Sequence, residues 1–240
     1  MYLQGKRIRA SVPELPEATG PEGITHPGAS QPMTLLFLGE STMAGVGVRT
    51  HAEGFAGTFA QTLGEQLQTG IGWKVYARSG YTARRLAQRM IPKITENHAD
   101  LIVISLGGND AFQLNTPWRW RQDIRELLVN LRQKYPETPI VFANMPPIKD
   151  FPAFTPLIKN TIGNLVEILG HELKAEITQH PRVYFNHDII RLADWVKRLN
   201  IKAQATDFFS DGVHPSALTY QTWARDLATF TTERVFKSNP

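Results

Sequence analysis

The chain of 240 residues predicts an α/β protein built on a parallel sheet, and three observations carry that reading. From Thr34 onward, short apolar runs rich in β-branched or aromatic residues alternate with longer amphipathic segments, the pattern of βαβ units. The first run, Leu35-Leu36-Phe37-Leu38, contains no polar residue, as expected of a strand buried on both faces. The composition, 42% hydrophobic and 20% charged, is that of a globular chain long enough to bury a substantial core as one domain.

Residues 1–32 precede this pattern. They hold Pro13, Pro16, Pro21, Pro27 and Pro32 with four glycines and little periodicity, so they read as an extended Pro/Gly-rich arm outside a domain spanning 33–240. Five strands are expected near 34–38, 73–77, 101–106, 139–144 and 182–186, giving a sheet of roughly five parallel strands. Helices are expected near 52–69, 82–91, 118–135, 156–179 and 216–236. In 118–135, Ile124, Leu127, Leu128 and Leu131 recur at spacings of three and four and make one apolar face, with Pro117 suited to the first turn. In 156–179, Leu157, Ile158, Ile162, Leu165, Ile168, Leu169 and Leu173 do the same behind Pro156. Residues 188–210, with Ile189, Ile190, Leu192, Trp195, Val196 and Leu199, form a further amphipathic segment that reads as a packed helix, a cover over the site being the other possibility.

Composition narrows the function classes. The absence of cysteine removes disulfides, thiolate nucleophiles and cysteine-bound zinc. The net charge of +4 is scattered, with Lys6, Arg7 and Arg9 near the start and Arg84-Arg85, Arg119, Arg121, Arg182 and Lys197-Arg198 beyond, and no recognition motif accompanies it, which argues against nucleic acid. No stretch approaches the ~18 apolar residues of a membrane span. The first residues lack the order of a signal peptide. As given the chain reads as soluble and its compartment is left open, the cytoplasm being favoured; contact of the basic arm with an anionic membrane is disfavoured because it carries too few charges.

Four short motifs carry chemistry. Gly39-Glu40-Ser41 follows the first strand and sets a hydroxyl at the carboxyl edge of the sheet, where open α/β sheets bind ligands. Ser79-Gly80-Tyr81-Thr82 follows the second strand, and a glycine there lets a backbone N–H approach a ligand closely. Gly107-Gly108-Asn109-Asp110 follows the third and places an amide side chain at the same edge, where it can donate to a developing oxyanion. Asp211-Gly212-Val213-His214-Pro215 sets a carboxylate three residues before an imidazole, close enough to hold its Nδ1–H and leave Nε2 free as a base. Taken singly, the first, second and fourth are more simply a turn or a cap, and the third is equally well one. No G-x-S-x-G, G-x-G-x-x-G or Walker A loop occurs, and His26, His51, His98, His171, His180 and His187 show no metal-ligand spacing.

In their order along the chain, these four blocks resemble those of the SGNH hydrolases, the GDSL-like lipases and esterases, over about residues 34–230. The resemblance implies a flavodoxin-like three-layer α/β/α sandwich and a serine esterase without metal or organic cofactor. It makes Ser41 the nucleophile, His214 the base and Asp211 its orienting carboxylate, with Ser41 N–H, Gly80 N–H and the Asn109 side chain as the oxyanion hole. Two positions depart from the family: Glu40 stands where Asp is usual, and Tyr81 where related thioesterases and lysophospholipases often carry Asp or Asn, which implies altered loop contacts and substrate preference. Phe112, Leu114, Trp118, Trp120 and Tyr81 are the candidates for substrate contact. The expected partner is a small ester with a short to medium acyl chain; a thioester, a lysophospholipid and an acetylated sugar suit the same machinery. A non-catalytic flavodoxin-like module holding a phosphate or flavin on the Ser41 loop is the alternative of another class, and Asp211 with His214 argues against it. The sequence does not reveal the oligomeric state.

Overall fold

The computed structural model describes residues 15–25 and 32–237; the expected arm cations Lys6, Arg7 and Arg9 lie outside them. Six strands form one sheet: β1 (Glu22–Thr25), β2 (Met33–Gly39), β3 (Ile71–Ala77), β4 (Leu101–Ser105), β5 (Ile140–Phe142) and β6 (Val183–Phe185), in the order β1-β3-β2-β4-β5-β6. All neighbouring pairs are parallel except β1 with β3. The helices are α1 (Phe55–Leu67), α2 (Ala83–Arg85), α3 (Gly108–Phe112), α4 (Pro117–Lys134), α5 (Pro156–Ile177), α6 (Leu192–Leu199) and α7 (Ala217–Thr231).

The connection from β2 to β3 moves one way across the sheet, and those from β3 to β4, β4 to β5 and β5 to β6 move the other way. Right-handed crossovers therefore put α1 on one face and α2, α4 and α5 on the opposite face. In keeping with this, α7 packs on α1, while α4 packs on α2 and α5. The result is the three-layer α/β/α sandwich, with its direction of winding reversed at β2. Among the described residues, no helix is long and apolar enough to cross a membrane.

The five expected strands all form. Leu35, Leu36, Phe37 and Leu38 are entirely buried, as an apolar run between two helical layers requires. The sixth strand, β1, comes from the arm and runs antiparallel along β3, with Glu22 opposite Lys74 and Ile24 opposite Gly72. Its residues are largely exposed, so they carry no burial pattern, and its place is set by pairing with β3. The arm also crosses the loop after β2, where Ala18 N–H donates to Ala44 O at 2.9 Å and His51 N–H to Thr19 O at 3.0 Å.

The long helices follow their side-chain pattern with one adjustment. Thr116 and Thr155 cap α4 and α5 by accepting from Arg119 N–H and Ile158 N–H. The α4 stripe Ile124, Leu127, Leu128 and Leu131 is fully buried. On α5 the buried stripe is Ile158, Ile162, Val166, Leu169 and Leu173, whereas Leu157 and Ile168 face solvent. Small Gly163 and Gly170 lie on the inner face and rotate the stripe away from the Leu157–Ile168 line. The segment expected as a helix near 82–91 keeps a single α turn, then widens into a π turn at Leu86–Met90 and tightens at Ile91–Lys93; Pro92 has no N–H to continue the ladder. Of the 188–210 segment, expected as a packed helix, only Leu192–Leu199 is α-helical; Ile190, Leu192 and Trp195 are buried while Ile189 and Leu199 face solvent, and Trp195 Nε1 donates to Asp226 Oδ2 of α7 at 2.9 Å.

Candidate active site

The site is assembled by register. Gly39, the last residue of β2, is the Cα partner of Ala77 in β3 and of Ser105 in β4. The three loops that follow therefore leave the sheet at one level, and they bear Ser41, Gly80 and Asn109. A Cβ on Gly39 would lie 2.4 Å from Ser105 O, so only glycine lets the chain turn out of β2 against β4. The chain then coils tightly, with Ala44 N–H donating to Glu40 O at 2.8 Å and Val46 N–H to Ser41 O at 3.1 Å.

Glu40, expected to alter loop contacts and substrate preference, is the bridge between two of these loops. Its Oε1 accepts Gly108 N–H at 2.9 Å and its Oε2 accepts Asn109 N–H at 2.8 Å, so the residue beside Ser41 holds the start of α3. Asp110 does the same for the third loop: Oδ2 accepts Ala83 N–H at 3.1 Å, and Oδ1 accepts Asn115 Nδ2 at 2.8 Å. Asn109 Nδ2 donates to Tyr81 O at 3.1 Å, which fixes the amide against the Gly80 loop. Gly80 itself adopts φ +79°, a conformation costly for any side-chain-bearing residue. Among the described residues, no protein group accepts the N–H of Ser41 or of Gly80.

Burial pushes the Glu40 carboxyl up to about 8; the Asn109 and Gly108 amides pull it down, and nearby Asp110 pushes it further up. Burial likewise pushes Asp110 up to about 6 against the pull of Ala83 N–H and Asn115. Asp211 behaves differently. Burial acts to raise its pKa, but the bonds from the His214 imidazole, His214 N–H and Val213 N–H outweigh it and hold the carboxylate below the usual range.

The Asp211–His214 loop is held against the Ser41 coil. Ser210 Oγ donates to Gly47 O at 3.0 Å, and Tyr220 OH, on α7, donates to Val46 O at 2.8 Å. Within the loop, Asp211 Oδ1 accepts Val213 N–H at 2.9 Å and His214 N–H at 2.7 Å, while Oδ2 lies 2.7 Å from His214 Nδ1. The carboxylate side chain is 1% exposed and the imidazole 22%, so the ring keeps one edge open to a ligand. No hydrogen bond joins Ser41 Oγ to His214 among the described residues; such contacts commonly tighten only once substrate is bound.

The expected substrate contacts divide. Phe112 is half-exposed and meets Phe154 edge-on at 5.4 Å between ring centroids; Phe154 meets Phe151 at 5.3 Å, and Phe151 meets Phe209 at 5.0 Å. This aromatic wall runs from α3 to the Asp211–His214 loop, to which Ala153 N–H bonds at Gly212 O. Leu114 and Trp118 stand exposed beyond it. Trp120 is withdrawn from the list: it is wholly buried, and its Nε1 donates to Leu169 O at 2.9 Å. Its place in the inward stripe of α4 aims it at the core. Tyr81 meets the site through its carbonyl, with its side chain packed partly into the core. Phe151 and Phe154 were not foreseen; their only signal was a Phe-Pro-Ala-Phe run between a strand and a helix.

The sequence profile of the GDSL-like lipase/acylhydrolase family matches residues 37–222. The chain belongs to that family of lipolytic, ester-hydrolysing enzymes. No curated protein matches it by sequence. Among solved structures it resembles a lipase from a goat rumen metagenome at 18% identity and TM-score 0.60, over 82% of this chain and 96% of that one. It also resembles a lipolytic G-D-S-L family protein of Veillonella parvula at 14% identity and TM-score 0.58, over 86% and 99% of the two chains. A phospholipase A1 of Streptomyces albidoflavus matches at 14% identity and TM-score 0.55, over 83% and 99%. At these identities the likeness concerns the fold.

Glu40→Ala leaves the buried Gly108 N–H and the half-buried Asn109 N–H without their acceptor, so it should cost about 1–3 kcal/mol for the first and less for the second in urea unfolding. The sign of its pH effect follows from the raised pKa. Between the ordinary 4.5 and about 8, the folded chain holds a proton that the unfolded chain has released, so Glu40 makes stability fall as pH rises through that window. Urea midpoints measured from pH 5 to 8 should therefore decline less steeply in Glu40→Ala than in wild type.

Proposed function

We propose that the protein is a serine carboxylesterase in which Ser41, His214 and Asp211 act as a triad. The observation that carries the reading is the 2.7 Å contact of Asp211 Oδ2 with His214 Nδ1 in a loop pinned to the Ser41 coil. A carboxylate on Nδ1 selects the tautomer whose Nε2 bears the lone pair, and it stabilises the imidazolium when that nitrogen takes a proton.

The chemistry then runs in two halves. His214 Nε2 accepts the Ser41 proton as Oγ attacks the ester carbonyl, forming a C–O bond and placing negative charge on the carbonyl oxygen. Ser41 N–H, Gly80 N–H and Asn109 Nδ2 donate to that oxygen. Donors fixed by the Glu40 and Tyr81 contacts need no reorganisation as charge develops, which is where such groups contribute most. The tetrahedral species collapses, His214 protonates the departing alcohol oxygen, and the acyl group remains on Ser41. Water then repeats the sequence, with His214 as base, and releases the acid. The wall of Phe112, Phe154, Phe151 and Phe209 suits an acyl chain of short to medium length laid between oxyanion donors and base. A thioester, a lysophospholipid or an acetylated sugar would use the same groups.

Hydrolysis of p-nitrophenyl esters from acetate to palmitate is the direct test. Ser41→Ala and His214→Ala should each remove nearly all activity, and the double variant should be little worse than either, because the residues act as one unit. Additive losses, or activity surviving in Ser41→Ala, would refute the assignment. Asn109→Ala should lower kcat by ~10²–10³ with KM nearly constant, since its donor serves the transition state; a change confined to KM would move Asn109 to substrate binding.

A further inference from the structure

The family match begins at residue 37, yet a segment that precedes it, residues 15–25, lies against two loops of the candidate site. Glu17 Oε1 accepts Ser79 N–H at 2.7 Å, on the residue before Gly80. Ala18 N–H donates to Ala44 O at 2.9 Å in the coil that follows Ser41, and a Cβ on Gly45 would lie 2.6 Å from Ala18 Cβ. Thr19 N–H donates to Arg49 O, and His51 N–H donates to Thr19 O, both at 3.0 Å. The far end of the segment is anchored by β1. Val75 N–H donates to Pro21 O at 2.7 Å, and a Cβ on Gly23 would lie 2.5 Å from the Trp73 ring.

None of residues 15–25 is buried, so the segment adds little to the core. Its polar contacts between residues 17 and 19 fall instead on the coil after Ser41 and on the Gly80 loop. They matter most at Gly80. Glycine supplies the φ of +79° that this turn uses, but it has no side chain to pin the backbone, so the aim of its N–H depends on neighbouring bonds. Glu17 holds Ser79 N–H on one side, and Arg85 Nη1 donates to Gly80 O at 3.3 Å on the other. The Ser79–Gly80 peptide, which carries the Gly80 N–H, is bracketed between them. A negative charge on this side of a developing oxyanion would by itself slow the reaction. What Glu17 contributes is therefore geometry, not field.

We propose that residues 15–25 form a strap that positions the catalytic loops, and that Glu17 is its positioning residue: it fixes the Ser79–Gly80 peptide so that Gly80 N–H faces the oxyanion. The effect on rate rests on the esterase reading, whereas the hold on the loop does not. A donor held in place before charge develops contributes more than one that must be ordered during the step. Glu17 acts on kcat for that reason and leaves the affinity for the ester nearly untouched.

The test compares the full chain with its Glu17→Ala and Glu17→Gln variants in two measurements, hydrolysis of p-nitrophenyl acetate and amide hydrogen exchange read residue by residue. Glu17→Ala loosens a donor without removing it, so kcat should fall about tenfold, part of the ~10²–10³ that loss of such a donor costs, with KM nearly constant. Glu17→Gln keeps an acceptor oxygen without the charge and should restore most of the rate. Because Glu17 is exposed, melting temperatures should stay unchanged. Exchange at Ser79 and Gly80 should be faster in Glu17→Ala than in Glu17→Gln, while that of β3 stays the same. An unchanged or raised kcat in Glu17→Ala, a loss that Glu17→Gln does not restore, or a change confined to KM would overturn the proposal. If the unaltered chain cleaves no ester, the esterase reading fails by itself. Exchange then decides the strap alone: equal rates at Ser79 and Gly80 in the two variants would sink it, and faster exchange in Glu17→Ala would uphold its grip.

Discussion

The arrangement depends on the parallel register of β3, β2 and β4. With Ala77, Gly39 and Ser105 level across three strands, and strands about 4.8 Å apart, the loops after them begin within ~10 Å of one another. Short loops are then enough to bring a hydroxyl, a backbone N–H and an amide together. A slip of one residue in β2 would reverse every side chain of Leu35, Leu36, Phe37 and Leu38 and move Ser41 off that level. Because the run is apolar on both faces, shape is what opposes the slip: Phe37 sits edge-on to Phe59 at 5.4 Å, and only glycine fits at the Gly39 level, where a Cβ would lie 2.4 Å from Ser105 O, so the packing of the core and the geometry of the site are one constraint.

Carboxylates then set the loops against each other, and they do so in two electrostatic states. Glu40 and Asp110 sit in the interior, accept backbone N–H groups from a neighbouring loop and are raised by burial. They fasten rather than react. Asp211 is also buried, yet the imidazole and two backbone N–H groups keep it ionised, which is the state a carboxylate must hold to support a protonating histidine. The extra methylene of glutamate gives the residue beside Ser41 the reach to span both Gly108 N and Asn109 N.

Much of this was legible because it is local. The apolar run 35–38, the capped α4 and α5, and the four loop motifs each depend on residues close in sequence. The Asp211–His214 contact lay within one five-residue loop. What was hidden is long-range. Nothing near Glu40 shows that its oxygens meet residues 108 and 109, nothing near Glu22 shows that it pairs with Lys74, and Trp120 resembles Trp118 until the phase of α4 sends one to the core and the other to solvent. The α5 stripe was misjudged at Leu157 and Ile168 because glycine carries no hydropathy signal yet occupies the inner face.

The topology that gathers the reactive groups also determines what surrounds them. In a parallel sheet each helix begins at the carboxyl edge, so the first turns of α4 and α5 and the residues leading into them stand around the mouth. Residues in a first turn that miss the inward stripe project outward there, as Trp118 and Leu157 do. Elsewhere on a soluble surface such positions are free to be polar at almost no cost in stability. Phe112, Leu114, Trp118 and Leu157 instead give this mouth an apolar rim. The surface chemistry around Ser41 is thus a consequence of the same winding that aligned Gly39 with Ala77 and Ser105.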